Sequence, residues 1–164
     1  MKTKKWMGFF LLISSVILSG CSNGEITGES PETDGESAEV AADFDWMTDY
    51  EAALARAEAE EKPILMNFTG SDWCPPCQLM QKEVFSTEEF REYAAENLVL
   101  LELDYPIKLE QSKEVVEQNK VLQGQFDIEV FPTFVILQPN GDEEKRTTGY
   151  REGGPSTFID WIRS

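Results

Sequence analysis

Hydrophobic positions fall in two alternating patterns, which predict short buried strands separated by helices. Short apolar runs at 64–68, 98–104 and 133–137 are typical of buried strands, and polar residues 143–148, after a turn at 139–142, predict an edge strand. Helical spacing covers 45–61, a segment from about Pro76 to about 82, 86–97, 109–122 and a last segment opened by Pro155. This alternation predicts an α/β domain with three layers, α/β/α, around a mixed central sheet.

Capping residues give the expected helix ends. Asp45 can cap the first helix, on which Trp46 and Tyr50 share one apolar face. The Ser-Thr-Glu-Glu stretch at 86–89 has the form of a capping box. Gly124 is placed to end the helix over 109–122.

The N-terminus has the pattern of an export signal. Lysines precede a 13-residue apolar run from Trp6 to Leu18, which is shorter than the roughly 20 residues of a membrane-spanning helix. The sequence Leu-Ser-Gly-Cys at 18–21 resembles the lipobox of bacterial lipoproteins. That resemblance implies that 1–20 is a cleaved lipoprotein signal peptide and that Cys21 carries lipid. Ser22 resembles the sorting residue of outer-membrane cargo in Gram-negative bacteria.

Between the lipobox and the domain the chain is acidic and poor in apolar residues. Residues 21–45 contain acids but no base, and Pro31 and Gly35 interrupt any pattern. Such a segment cannot bury enough apolar surface to offset its ordering entropy. We therefore expect lipidated Cys21 to be followed by a disordered acidic tether, and 46–164 to form one domain.

Composition excludes several kinds of chemistry. The chain has no histidine, so histidine-based triads and imidazole metal sites are ruled out. Its 14 basic and 31 acidic residues give a net charge of −17, which disfavours nucleic-acid binding. Only three cysteines are present. With one assigned to lipid, two remain for chemistry.

Cys74 and Cys77 form a C-x-x-C at the junction of a predicted strand and helix. A helix N-terminus lowers the pKa of a thiol, and the thiolate is the form that attacks disulfides. Pro75 and Pro76 have no N–H, so the Cys77 N–H is the first one available to the Cys74 sulfur, and we expect a moderately lowered pKa. Half of a zinc site and an inert structural disulfide are the alternatives. No second C-x-x-C is present to complete a zinc site.

The motif Trp-Cys-Pro-Pro-Cys at 73–77 resembles the active site of the thioredoxin superfamily, and the remaining elements of 46–164 follow in the order of that fold. Residues 128–135 resemble its cis-proline segment. The resemblance implies a redox-active Cys74–Cys77 disulfide and no cofactor or metal. It further implies a cis bond before Pro132, support of the site by Trp73, Pro75, Pro76 and Pro132, and substrate contacts at Trp73, Phe131 and Thr133.

The group that handles the proton of Cys77 is open at this stage. The superfamily has a buried aspartate on the strand before the motif, where this chain has Asn67, which cannot titrate. Glu102 on the next strand and Asp72 beside the motif are further candidates, but strand alternation leaves the facing of Glu102 undecided.

These observations predict a lipid-anchored thiol–disulfide oxidoreductase that exchanges its dithiol with protein or peptide substrates. The proline pair and the absent histidine favour a reductase or isomerase over a strong oxidant. A membrane electron donor or acceptor is the implied partner, and the domain would lie in the periplasm or outside the cell. The alternative is a binding or redox-sensing module dedicated to one partner, such as a component of cytochrome c maturation.

Overall fold

The computed structural model describes residues 45–164. Within this range the chain alternates helices and strands, in the order α1 (Tyr50–Glu60), β1 (Ile64–Thr69), α2 (Pro75–Met80), α3 (Glu88–Asn97), β2 (Val99–Asp104), α4 (Lys113–Gln125), β3 (Thr133–Leu137), β4 (Glu143–Thr148) and α5 (Gly154–Arg163). A π-helical turn, Gln81–Phe85, continues α2. The predicted signal peptide, Cys21, Ser22 and the tether up to position 44 lie outside the described residues.

The strands form one mixed sheet in the order β2-β1-β3-β4. Strand β1 runs parallel to β2 and antiparallel to β3, and β3 pairs antiparallel with β4. In the parallel pair Asn67 lies opposite Glu102. The mixed sheet is confirmed, and its two central strands, β1 and β3, are buried at every position.

Strand alternation sends side chains to two separate apolar layers. One face packs against α1 and α4, with Ala53 and Leu122 among the contacts. The other face packs against α2, α3 and α5, with Met80, Phe90 and Phe158 at its centre. Helices therefore cover both faces of the sheet, and the predicted three-layer α/β/α arrangement is confirmed.

The first helix starts later than predicted. Asp49, rather than Asp45, is its N-cap, and its side chain accepts the N–H of Ala52. The residues before it are extended, because Met47 pairs with β2 through two backbone hydrogen bonds, from its own N–H and to its own carbonyl. Trp46 therefore does not lie on α1, and its ring packs edge-on against Phe85.

Two other helix limits differ from the prediction. Ser112 caps α4, which begins at Lys113 rather than 109 and runs through Gly124. The earlier residues are not helical because their N–H groups at 107–109 bind the side chain of Asp72. Thr87, rather than Ser86, caps α3.

Among the described residues, no helix has the length and apolar character needed to cross a membrane.

Candidate active site

A short loop from Gly70 to Trp73 connects β1 to α2 and sets the position of the cysteine motif. The Gly70 carbonyl accepts the N–H of Cys74 at 2.9 Å. A Cβ at Gly70 would lie 2.4 Å from a carbon of the Trp73 ring, so only glycine allows the indole to lie here. Sequence reasoning did not single out Gly70, although a glycine between a strand and the motif is a signal of close approach.

Cys74 and Cys77 are joined by a disulfide and open α2. Cys74 is the N-cap, and its sulfur accepts the N–H of Cys77 at 3.3 Å. Pro75 and Pro76 occupy the first helical positions and supply no N–H, as predicted, although α2 begins at Pro75 rather than Pro76. The cysteines are only 3% and 4% exposed, so a substrate sulfur has a narrow approach.

Trp73 lies beside the disulfide on an aromatic cluster. Its ring nitrogen donates to the carbonyl of Tyr105 at 2.7 Å. Its ring meets that of Phe131 edge-on at 5.7 Å, and Phe131 also contacts Tyr105 at 5.1 Å. The indole is 40% exposed although it is held on two sides. It thus offers apolar surface in a defined orientation next to Cys74.

The cis-proline segment lies at the start of β3. The Phe131–Pro132 peptide bond is cis, as the resemblance implied. Thr133 begins the strand, pairs with Phe68 and Thr148 on its two sides, and is 2% exposed. The structure thus places Phe131 against Trp73, and leaves Thr133 inside the sheet rather than at the surface.

Asp72 holds the loop after β2. Its carboxylate accepts the N–H groups of Ile107, Lys108 and Leu109 at 3.0, 2.5 and 3.2 Å. These bonds, that of Ile107 foremost, lower the pKa of Asp72. The loop presents two apolar side chains, Ile107 at 73% and Leu109 at 60% exposure. The sequence had predicted that Leu109 begins a helix.

The other two candidate proton-handling residues border the same cavity as Cys77. Asn67 and Glu102 are neighbours across β1 and β2, and both line a cavity of about 570 Å³ that Cys77 also borders. Burial, with the nearby charge of Asp104, raises the pKa of Glu102. Asp72 does not line this cavity. Strand register settles the facing of Glu102, which the sequence had left undecided.

Within residues 45–164, no cluster of three or more cysteine, aspartate or glutamate side chains is arranged to hold a metal ion. The arrangement brings together two sulfurs, one beside the aromatic pair of Trp73 and Phe131 and one bordering a cavity with polar residues in its wall. A disulfide in a C-x-x-C at the start of a helix, with Trp73 in contact with Phe131 before a cis-proline, is the arrangement of a dithiol–disulfide exchange domain.

Comparison with known proteins agrees with this class. Residues 45–139 match a family model described as Thioredoxin-like. The chain is 33% identical over 125 residues to the disulfide bond reductase DsbH of Chlamydia pneumoniae, which covers 76% of this chain and 74% of that protein. A solved DsbH oxidoreductase structure superposes with a TM-score of 0.70 at 30% identity, covering 82% of this chain and 92% of that one.

A second relative is much longer than this chain. The thiol:disulfide interchange protein DsbD of Campylobacter jejuni is 30% identical over 111 residues, which make up 67% of this chain but 18% of that protein. The chain belongs to the thioredoxin-like family and is a thiol–disulfide oxidoreductase.

Proposed function

We propose that this protein reduces disulfides in protein substrates outside the cytoplasm while anchored to a bacterial membrane through lipid on Cys21. One observation carries the proposal: the Cys74 sulfur lies at a helix start, bonded by the Cys77 N–H, beside the apolar surface of Trp73 and Phe131. Similarity to a protein named as a disulfide bond reductase supports the direction of transfer.

Catalysis would proceed by two thiol–disulfide exchanges. In the reduced enzyme the Cys74 thiolate attacks a substrate disulfide, and one substrate sulfur bonds to Cys74 while the other leaves as a thiolate and takes a proton from water. Cys77 then loses its proton and attacks the Cys74 sulfur. The second substrate thiol is released and the enzyme disulfide closes, so that two electrons and two protons have passed to the substrate. A membrane dithiol donor would reduce Cys74–Cys77 again.

Two groups of side chains and one stretch of backbone would bind the substrate. Trp73 and Phe131 would form the apolar floor next to the sulfur, and the backbone at Phe131, before the cis bond, would pair with an extended segment. The loop residues Ile107 and Leu109 extend this surface, because Asp72 holds them exposed beside the motif. We infer that the preferred substrates are extended segments with apolar side chains near the target cysteine.

The proposed direction can be tested by the redox potential of the Cys74–Cys77 pair against glutathione. We expect a value near about −270 mV, typical of thioredoxin-type reductants, whereas a value near about −120 mV would indicate an oxidant. Wild-type protein should reduce insulin with a dithiol donor, and neither the Cys74→Ser nor the Cys77→Ser variant should turn over.

A trapping experiment separates a general reductase from a module dedicated to one partner. The Cys77→Ser variant retains the attacking sulfur but cannot resolve the mixed disulfide. Expressed in its native compartment as the full chain, it should accumulate mixed disulfides with many proteins, and the double variant with Cys74→Ser with none. Capture of a single partner would overturn the general function and favour the dedicated module. A Cys21→Ala variant that still fractionates with membranes would overturn the lipid anchor.

A further inference from the structure

Most of the residues that border the cavity beside Cys77 are polar, although the cavity lies against the apolar layer of the sheet. It is bordered by the first turns after the cysteine motif and by residues of β1 and β2, and its volume is about 570 Å³. Gln78, Gln81 and Ser86 contribute polar side chains to its wall. A cavity of this size with several polar partners accommodates water molecules, which a dry apolar cavity would exclude.

Two residues that border this cavity each have a buried polar side-chain atom with no hydrogen-bond partner among the described residues. These atoms are the side-chain oxygen of Asn67 and the ring nitrogen of Trp46. Asn67 is 3% exposed. Buried polar groups are nearly always satisfied by protein or by ordered water, so an unpaired acceptor and an unpaired donor in the residues of this wall favour ordered water here. These waters would lie between the sheet and the Cys77 sulfur.

Among the described residues that border this cavity, Glu102 is the only one with a carboxyl group. Its place opposite Asn67 in the parallel pair puts both side chains on the sheet face that α2 covers. Its carboxylate forms neither a hydrogen bond nor an ion pair with any described residue. The other ionisable groups of the wall are Cys77 and Lys82, and Asp104 acts on Glu102 from the same strand. The carboxyl is therefore not used in holding the structure together.

The environment of Glu102 is that of a proton acceptor. Burial and the charge of Asp104 both disfavour its ionised form and raise its pKa. A carboxylate with a raised pKa takes a proton more readily, and a general base is most effective when its pKa approaches the working pH. Neither Asn67, which cannot titrate, nor Asp72, whose carboxylate binds three N–H groups outside the cavity, can replace it.

We propose that Glu102 is the general base that removes the proton of Cys77 through water in this cavity. The inference rests on the proposed dithiol mechanism and adds the group that drives its second step. The Cys77 S–H proton passes through water to the Glu102 carboxylate, and the Cys77 thiolate attacks the Cys74 sulfur. The Cys74–substrate bond breaks, the substrate thiolate leaves and is protonated by solvent, and Glu102 later returns its proton to solvent.

Stopped-flow mixing of the reduced protein with 5,5′-dithiobis(2-nitrobenzoate) tests this step directly. Attack by Cys74 releases a first coloured thiolate, and resolution by Cys77 releases a second. In the Glu102→Gln variant we expect the second phase to slow about tenfold or more at pH 7 while the first phase stays unchanged. The difference should shrink as the pH rises, because hydroxide then removes the Cys77 proton without help from a carboxylate.

Two variants distinguish a proton relay from a structural effect. Glu117→Gln removes an exposed carboxylate of α4 and should leave both phases unchanged. Asn67→Asp in the Glu102→Gln background returns a carboxyl to the same cavity from the neighbouring strand, and it should restore a fast second phase. If Glu102→Gln does not fold, the Asn67→Asp single variant should shift the pH profile of the second phase to lower pH.

The possible outcomes separate this inference from the function on which it rests. A Glu102→Gln variant with the wild-type rate and pH profile in the second phase would overturn the role of Glu102 and leave the dithiol mechanism intact. Equal slowing of both phases at every pH would show a structural role and would also overturn it. A wild-type protein without a second phase would overturn both proposals.

Discussion

The two sulfurs of the active-site disulfide lie in opposite kinds of surroundings. Cys74 is next to an apolar surface, formed by Trp73 with Phe131 and continued by the exposed loop at 107–109. Cys77, three residues on, borders a polar cavity with an unpartnered amide oxygen and a carboxyl. On the proposals made above, this difference corresponds to separate tasks on the two sides of one bond: recognition of a protein chain at Cys74 and movement of a proton at Cys77.

Removing the indole of Trp73 should have the largest effect on the Cys74 side. We expect Trp73→Ala to lower kcat/KM for insulin about thirtyfold, or about 2 kcal/mol, the loss typical of a central aromatic anchor. The small substrate 5,5′-dithiobis(2-nitrobenzoate) touches little of this surface, and its rate should change less than about twofold. Leu79→Ala is the matched control, because Leu79 is also 40% exposed but lies on α2. Equal losses for both substrates would contradict a docking role.

Loosening the loop after β2 should produce a smaller effect of the same kind. Asp72→Asn weakens the acceptor of the N–H groups at 107–109. We expect a loss of about threefold to fivefold with insulin, an unchanged small-substrate rate, and faster amide hydrogen exchange at these positions. Asp160→Asn, an exposed aspartate of α5, is the control. Unaltered exchange at 107–109 would show that Asp72 does not hold the loop.

The pH dependence of this loop has a definite sign. The bonds from Ile107 and its neighbours lower the pKa of Asp72, so they stabilise the folded state above the ordinary aspartate range. As the pH falls through the lowered pKa, the carboxylate is protonated and this stabilisation is lost. Protection of the amides at 107–109 should therefore decrease in acid in the wild type, and the Asp72→Asn variant should lack this decrease.

The smallest effect is expected on the Cys77 side, in stability rather than rate. Burial raises the pKa of Glu102, so its ionisation favours the unfolded state and stability falls as the pH rises through that pKa. Glu102→Gln should stabilise the oxidised protein in urea denaturation at pH 8 and should equal the wild type below pH 4. Glu117→Gln should show no such difference. A variant less stable than the wild type at pH 8 would indicate that the Glu102 carboxylate stabilises the fold.

The elements that the sequence predicted well are those with a strong local signal. Strands β3 and β4 have the predicted bounds, because apolar runs and turn residues mark them. Cys74, Cys77 and the cis bond before Pro132 were also reached from the sequence, since the motif and its resemblance carry them. For these features the local sequence was sufficient, because the spacing of neighbouring residues sets their backbone geometry.

The helix starts were missed where a distant residue decides them. Asp45 and Asp49 are equivalent as local caps, and the pairing of Met47 with β2 excludes the first. Ser112 caps α4, and the loop before it is bound to Asp72, whose partners lie more than 30 residues further along the chain. Local propensity cannot express either contact, because each joins segments that are far apart in sequence.

By itself, the sequence determined the class of fold, the two reacting sulfurs and the absence of histidine from their chemistry. Tertiary structure decided what surrounds each sulfur. The register of β1 against β2 places Glu102 and Asn67 in the wall of the cavity that Cys77 borders. The Asp72 carboxylate binds the N–H groups of Ile107 and Leu109 and so holds the loop after β2. A one-residue change in strand register would reverse the facing of Glu102, so the polar cavity exists only because the whole sheet fixes that register.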